Sequence, residues 1–164
     1  MGREIERKFL VRHEAWHPDR SKGERYRQGY LSSHPNQTVR VRTADRRAFL
    51  TIKGAPQGIA RLEFEYAIPV QDAEEILDRL CSHPLIEKIR YHETYGGHVW
   101  DVDEFLGANA GLIVAEVEVP TVDAHVELPP WVGKEVSGDP RYLNVNLTQH
   151  PFTRWGRAPI RNED

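Results

Sequence analysis

Along most of this chain, charged and apolar side chains alternate residue by residue, and on the charged parity the same sign tends to repeat. A β-strand sends successive side chains to opposite faces, so a period of two predicts strands. In EIERKFLV, residues 4–11, it sets Glu4, Glu6 and Lys8 on one face and Ile5, Arg7 and Phe9 on the other. Arg40 and Arg42 oppose Val39 and Val41, and Lys53, with Thr51, opposes Leu50 and Ile52. Glu63 and Glu65, preceded by Arg61, oppose Leu62, Phe64 and Tyr66. Lys88 and Arg90 face away from Ile89 and Tyr91, Asp101 and Asp103 from Trp100 and Val102, and Glu116 and Glu118 from Val117 and Val119.

These segments, bounded mostly by Gly, Pro, Asn or Asp, predict eight strands, at roughly 3–11, 25–32, 37–43, 47–53, 60–68, 86–94, 97–105 and 112–120. Ile76, Leu77 and Leu80 stand at helical spacing before Pro84, with Asp72 near the start. A short helix is expected in TVDAHVELPPW, ended by Pro129. A third is expected from Asp139-Pro140 through RYLNVNLTQH. Residues 1–150 read as one domain and 151–164, which lack a periodic pattern, as a loosely attached tail.

An antiparallel sheet with its polar face in water is the ordinary reading of such alternation. Three features argue against it. The polar faces are almost purely ionic, where solvated faces mix in Ser, Thr and Gln. Residues i and i+2 lie about 6.6 Å apart on one face, so each like-charged doublet repels unless a counter-charge sits over it. Phe9, Phe64, Tyr66, Tyr91 and Trp100 on the opposite faces need cover, which amphipathic helices can supply. Eight strands suffice to close a barrel lined by alternate residues, with the charged parity inside. The fold class expected is therefore mainly β (α+β), a closed eight-stranded antiparallel barrel with helices packed outside.

Such a lumen holds eight carboxylates, Glu4, Glu6, Glu63, Glu65, Asp101, Asp103, Glu116 and Glu118. It also holds six cations, Lys8, Arg40, Arg42, Lys53, Lys88 and Arg90, with Arg61 at the rim. Burying these charges unpartnered would be prohibitive, so the lumen should be wet and take a ligand. Clustered carboxylates without Cys or paired His suit a hard divalent ion such as Mg²⁺ or Mn²⁺. Clustered Arg and Lys suit phosphate oxygens. A metal and several phosphates together point to phosphoryl transfer.

The segments EIERKFLV, VRVR, TIKG, RLEFEY, KIRY, WDVDEF, AEVEV and WVGKEVSGDPRYLN, in this order, resemble the CYTH superfamily, the triphosphate tunnel metalloenzymes, over residues 3–147. The resemblance implies an antiparallel tunnel that binds triphosphates with divalent metal. On it, Glu4 and Glu6 bind metal together with Glu116 and Glu118, and the acidic doublet Asp101 and Asp103 joins the metal set. Lys8, Arg40, Arg42, Lys53, Lys88 and Arg90 grip phosphates, with Arg61 beside them. Glu63 and Glu65 orient the attacking water or hold a second metal. Tyr30 resembles a tyrosine that some members pair with a lysine such as Lys53 near the leaving group. Compact members opening with this signature resemble inorganic triphosphatases, which hydrolyse tripolyphosphate to diphosphate and phosphate.

Four alternatives stay open at this point: a class IV adenylyl cyclase, a thiamine triphosphatase, a non-catalytic polyphosphate or nucleotide reader, and a plain structural sheet. The partner expected is inorganic triphosphate or another triphosphate-bearing small molecule. A net charge of −3 does not suit a nucleic-acid binder. No apolar run approaches a membrane span. Glu6 breaks the Met1-Gly2 myristoylation pattern, and no signal peptide is visible. The single cysteine, Cys81, fits a buried position in a reducing, cytoplasmic compartment. Monomer and homodimer are equally compatible with these features.

Overall fold

The computed structural model describes residues 2–156. Eight strands form an antiparallel ring: β1 (Arg3–Val11), β2 (Glu24–His34), β3 (Gln37–Ala44), β4 (Arg47–Gly54), β5 (Ala60–Ala67), β6 (Ile86–Tyr95), β7 (His98–Phe105) and β8 (Ile113–Glu118). The hydrogen-bonded order runs β5-β4-β3-β2-β6-β7-β8-β1, and β5 returns to β1 to close it. Closure is short, with Arg3, Glu4 and Ile5 registered against Leu62, Arg61 and Ala60. Beyond it the free edge of β1 takes a ninth strand, β9 (Val132–Glu135), the only strand among the described residues that the alternation did not predict. Four residues are too few to display a period.

Two-residue turns set the register of several hairpins. Gly96 and Gly97, at φ 60° and 82°, join Tyr95 to its partner His98, the left-handed pair that a twisted hairpin requires. Asp45 takes φ 56° in the β3–β4 turn.

The faces sort as the parity predicts, but their cover differs. Helix α1 (Val70–Arg79) packs Ala73 and Leu77 on Val41 and Ala48, and Cys81 completes that cluster. Phe9, Tyr91 and Trp100 are buried beneath irregular chain, with Trp16 on one side and Val126 and Trp131 on the other. The helix expected at 121–131 does not form. Thr121 Oγ1 donates to Asp123 Oδ1 at 2.8 Å, and such local side-chain bonds favour a turn over a helix. Phe64 and Tyr66, expected to be covered, remain 43% and 56% exposed. Helix α1 lies instead over β2, β3 and β4.

The third predicted helix is broken. Asp139 caps a 3₁₀ turn, Pro140–Tyr142, Leu143 is extended, and α2 (Asn144–Gln149) follows. This segment does not lie outside the ring. On the lumen parity the residues change from charged to apolar toward one end, at Leu10, Val114, Phe105 and Ile86. Tyr142, Leu147 and Val136 pack into that end as a stopper. The chain from 151 to 156, the described part of the expected tail, makes contacts with the rest of the fold. Phe152 N donates to Asn109 Oδ1 at 2.8 Å, and Trp155 sits edge-on to Tyr142 at 5.1 Å. Residues 157–164 of the expected tail lie outside the described residues. No helix among the described residues is long and apolar enough to cross a membrane.

Candidate active site

Alternation along the eight strands turns the charged parity inward. Glu4, Glu6, Lys8, Tyr30, Arg40, Arg42, Lys53, Arg61, Glu63, Glu65, Lys88, Arg90, Asp101, Glu116 and Glu118 line one cavity of about 620 Å³. Asp103 alone among the expected site residues is absent from that lining.

One side of the cavity is an acidic belt. Glu6 stands directly opposite Glu118 in the β1–β8 register, and Asp101 opposite Glu116 between β7 and β8. Like charges in facing positions destabilise a sheet unless something bridges them. Burial, then the charges of Glu116 and Glu4, push the Glu6 carboxyl up to about 8. Burial and the charges of Glu4 and Asp101 also raise Glu118. Lysines answer part of this charge: Lys8 Nζ lies 3.4 Å from Glu116, and Lys53 Nζ 3.2 Å from Glu4. With the carboxylates so engaged, no three His, Cys, Asp or Glu side chains among the described residues converge as a ready metal site. The donor set still fits a hard divalent ion: oxygen ligands only, and more buried negative charge than the lysines neutralise.

The opposite side is cationic and short of anions. Burial and the charges of Arg40 and Arg90 pull the Arg42 guanidinium down to about 10. Its Nε and that of Arg40 are buried without hydrogen-bond partners. Arg42 and Arg90 both stack on the Tyr26 ring, at 4.8 and 4.9 Å from its centroid. Buried donors left open in this way call for an anionic guest. Burial also brings the Lys88 ammonium down to about 7, against the pull of Asp103.

Asp103 lies beneath these cations. It accepts from Arg90 Nε at 2.7 Å and Nη2 at 2.8 Å, and Lys88 Nζ lies 3.0 Å away. Although burial opposes it, the charges of Arg90 and Lys88 hold its carboxyl far below the usual range. Its oxygens are engaged in aiming a lysine and an arginine.

The remaining groups divide the work further. Glu65 accepts from Thr51 Oγ1 at 2.7 Å and from Arg40 at 3.2 Å. Glu63 pairs with Lys53 at 3.5 Å, and burial and the charge of Glu4 raise its pKa. Tyr30 Oη accepts from Gln28, and no hydrogen bond joins it to Lys53 among the described residues. Arg61 turns its fork back on the Gly54 carbonyl, at 2.9 and 3.1 Å. His92, on the parity of Lys88 and Arg90, lines the cavity and lies 2.7 Å from Asp101.

Sequence reasoning passed over four contributors. Gln28 and Tyr26 share the parity of Tyr30, so the same alternation could have found them; Thr51 was seen on the face of Lys53 but given no role. Asn144 carries no such signal, because only the packing of the stopper brings it to the cavity.

Comparison with known proteins agrees with this geometry. The chain is 51% identical over 152 residues to an inorganic triphosphatase of Acetivibrio thermocellus, covering 93% of this chain and 97% of that one. It is 37% identical over 153 residues to an inorganic triphosphatase of Nitrosomonas europaea, covering 88% and 95%. The crystal structure of the inorganic triphosphatase NE1496 matches with a TM-score of 0.63 at 35% identity, over 88% of this chain and 97% of that one. The CYTH domain model matches residues 2–150. With a ring of eight strands, an inward-facing ionic parity and a family match over nearly its whole length, this chain belongs to the CYTH domain family.

Proposed function

We propose that the chain is an inorganic triphosphatase, hydrolysing tripolyphosphate to diphosphate and phosphate in its charged cavity with Mg²⁺ or Mn²⁺. One observation carries this reading. A belt of carboxylates in need of a cation and a cluster of guanidiniums in need of an anion share one cavity. Only a guest with both a divalent ion and several phosphates satisfies the two together. The names of the relatives support the same reaction.

In this reading Arg40, Arg42, Arg90, Lys8 and Lys88 hold the phosphate chain and stabilise charge on its oxygens. Glu4, Glu6, Glu116 and Glu118 would hold the divalent ion, which supplies charge neutralisation for the same oxygens when bound. Glu63, free of strong partners and with a raised pKa, orients a water for in-line attack on a terminal phosphorus and receives its proton. Glu65 keeps Arg40 and Thr51 in place. The bond to the bridging oxygen breaks, that oxygen leaves with the diphosphate, and Lys53 offsets its charge.

The test is a substrate panel with identified products. Tripolyphosphate should release phosphate and diphosphate when Mg²⁺ or Mn²⁺ is present, well above the release from ATP. Cyclic AMP from ATP with no release from tripolyphosphate would sink the proposal in favour of a cyclase.

A further inference from the structure

The stopper brings one polar side chain into the cavity, and its neighbours dictate which way it faces. Gln28 is fully buried and donates from Nε2 to Tyr30 Oη at 3.1 Å and to Asn144 Oδ1 at 3.3 Å. Lys88, 1% exposed, donates to that same Oδ1 at 2.8 Å. Two donors on one oxygen decide the amide orientation, since the opposite one would press an NH₂ group against an ammonium. The Asn144 Nδ2 therefore points away from both, and among the described residues it has no acceptor. Asn144 lines the cavity beside Lys88 and Tyr30. Leu143 and Val145, its neighbours there, offer no side-chain donor.

We propose that Asn144 is a substrate-contacting residue at the closed end of the tunnel. Its Nδ2 donates to an oxygen of the innermost phosphate while its Oδ1 holds the Lys88 ammonium against the same group. The inference rests on the triphosphate-binding reading above and adds the group that senses the end of the chain. A neutral donor there discriminates: it donates to a phosphate oxygen but is itself left unpaired by an end group that presents carbon instead of an acceptor.

Asn144→Asp separates the two roles. The carboxylate still accepts from Lys88 and Gln28, but it offers no N–H and sets a negative charge toward the phosphate. Tripolyphosphate binding, read by calorimetry in a chelator, should weaken about 10- to 100-fold, as for a lost charge-assisted hydrogen bond. In turnover the loss should appear in KM with kcat nearly kept, and the thermal midpoint should stay within a few degrees of the parent. Wild-type affinity and KM in Asn144→Asp would overturn the proposal. Asn144→Ala, which removes both groups, provides the same readout should the aspartate variant fail to fold, and unchanged binding there is equally fatal. A parent chain that binds tripolyphosphate without hydrolysing it would overturn the triphosphatase reading and leave this contact standing.

Discussion

Glu6 and Asp103 are both acidic residues on the lumen parity of adjacent parts of one ring, yet their surroundings drive them in opposite directions. Glu6 faces Glu118 across the sheet and has Glu4 and Glu116 nearby, so it holds its proton up to about 8. Asp103 faces Arg90 and touches Lys88, and its carboxyl is held far below the usual range. Parity makes the two equivalent; the identity of the residue across the strand pair makes them different. An acidic group opposed by acids is poised for an added cation. One opposed by bases serves as a strut for the residues that grip the anion.

Breaking the strut should have the largest effect on stability. Asp103→Ala strands Arg90 and Lys88 in a buried site, which should cost about 3–5 kcal/mol in chemical denaturation. A near-parental midpoint would mean that the cations relax outward and that the contrast with Glu6 is weaker than the geometry implies.

Glu6→Gln should act on the other side of the comparison. Removing one carboxylate from a crowded belt leaves the fold intact, with the thermal midpoint held or raised. Phosphate release should nevertheless fall by about 10²–10³, the scale set by losing one charge-stabilising group. If the variant unfolds, Glu6 is structural and the belt is not a cation site.

The smallest effect is expected at Glu135, which pairs with Arg7 outside the ring at 2.9 Å. The hydrogen bond from Arg7 lowers its pKa below the usual 4.5. A depressed carboxyl contributes stability above its unfolded pKa and loses it as pH falls through the folded value. Glu135→Gln should therefore cost about 0.2–1 kcal/mol at pH 7 and progressively less as the pH falls below 4.5, read from urea midpoints at neutral and at acid pH. An equal cost at both would show that packing, rather than charge, holds this pair.

Much of the fold was legible because a strand's period is short and its consequences local. All eight ring strands, their inward parity and helix α1 follow from residues within ten positions of each other. The cover was less legible. Nothing local distinguishes Trp100, sealed under the 120–131 segment, from Phe64, left open on β5. The stopper was hidden for the same reason. Leu10, Val114, Phe105 and Ile86 belong to four strands, and their common end becomes an apolar socket only when the ring closes.

By itself the sequence determined the ring's strands, the face each side chain takes, and the ionic character of the lumen, because alternation is a property of the backbone. Tertiary structure alone decided which charge meets which. It set Glu6 against Glu118, Asp103 beneath Arg90, and Asn144 at the closed end, because register between strands and the docking of a distant segment place residues that no local spacing connects.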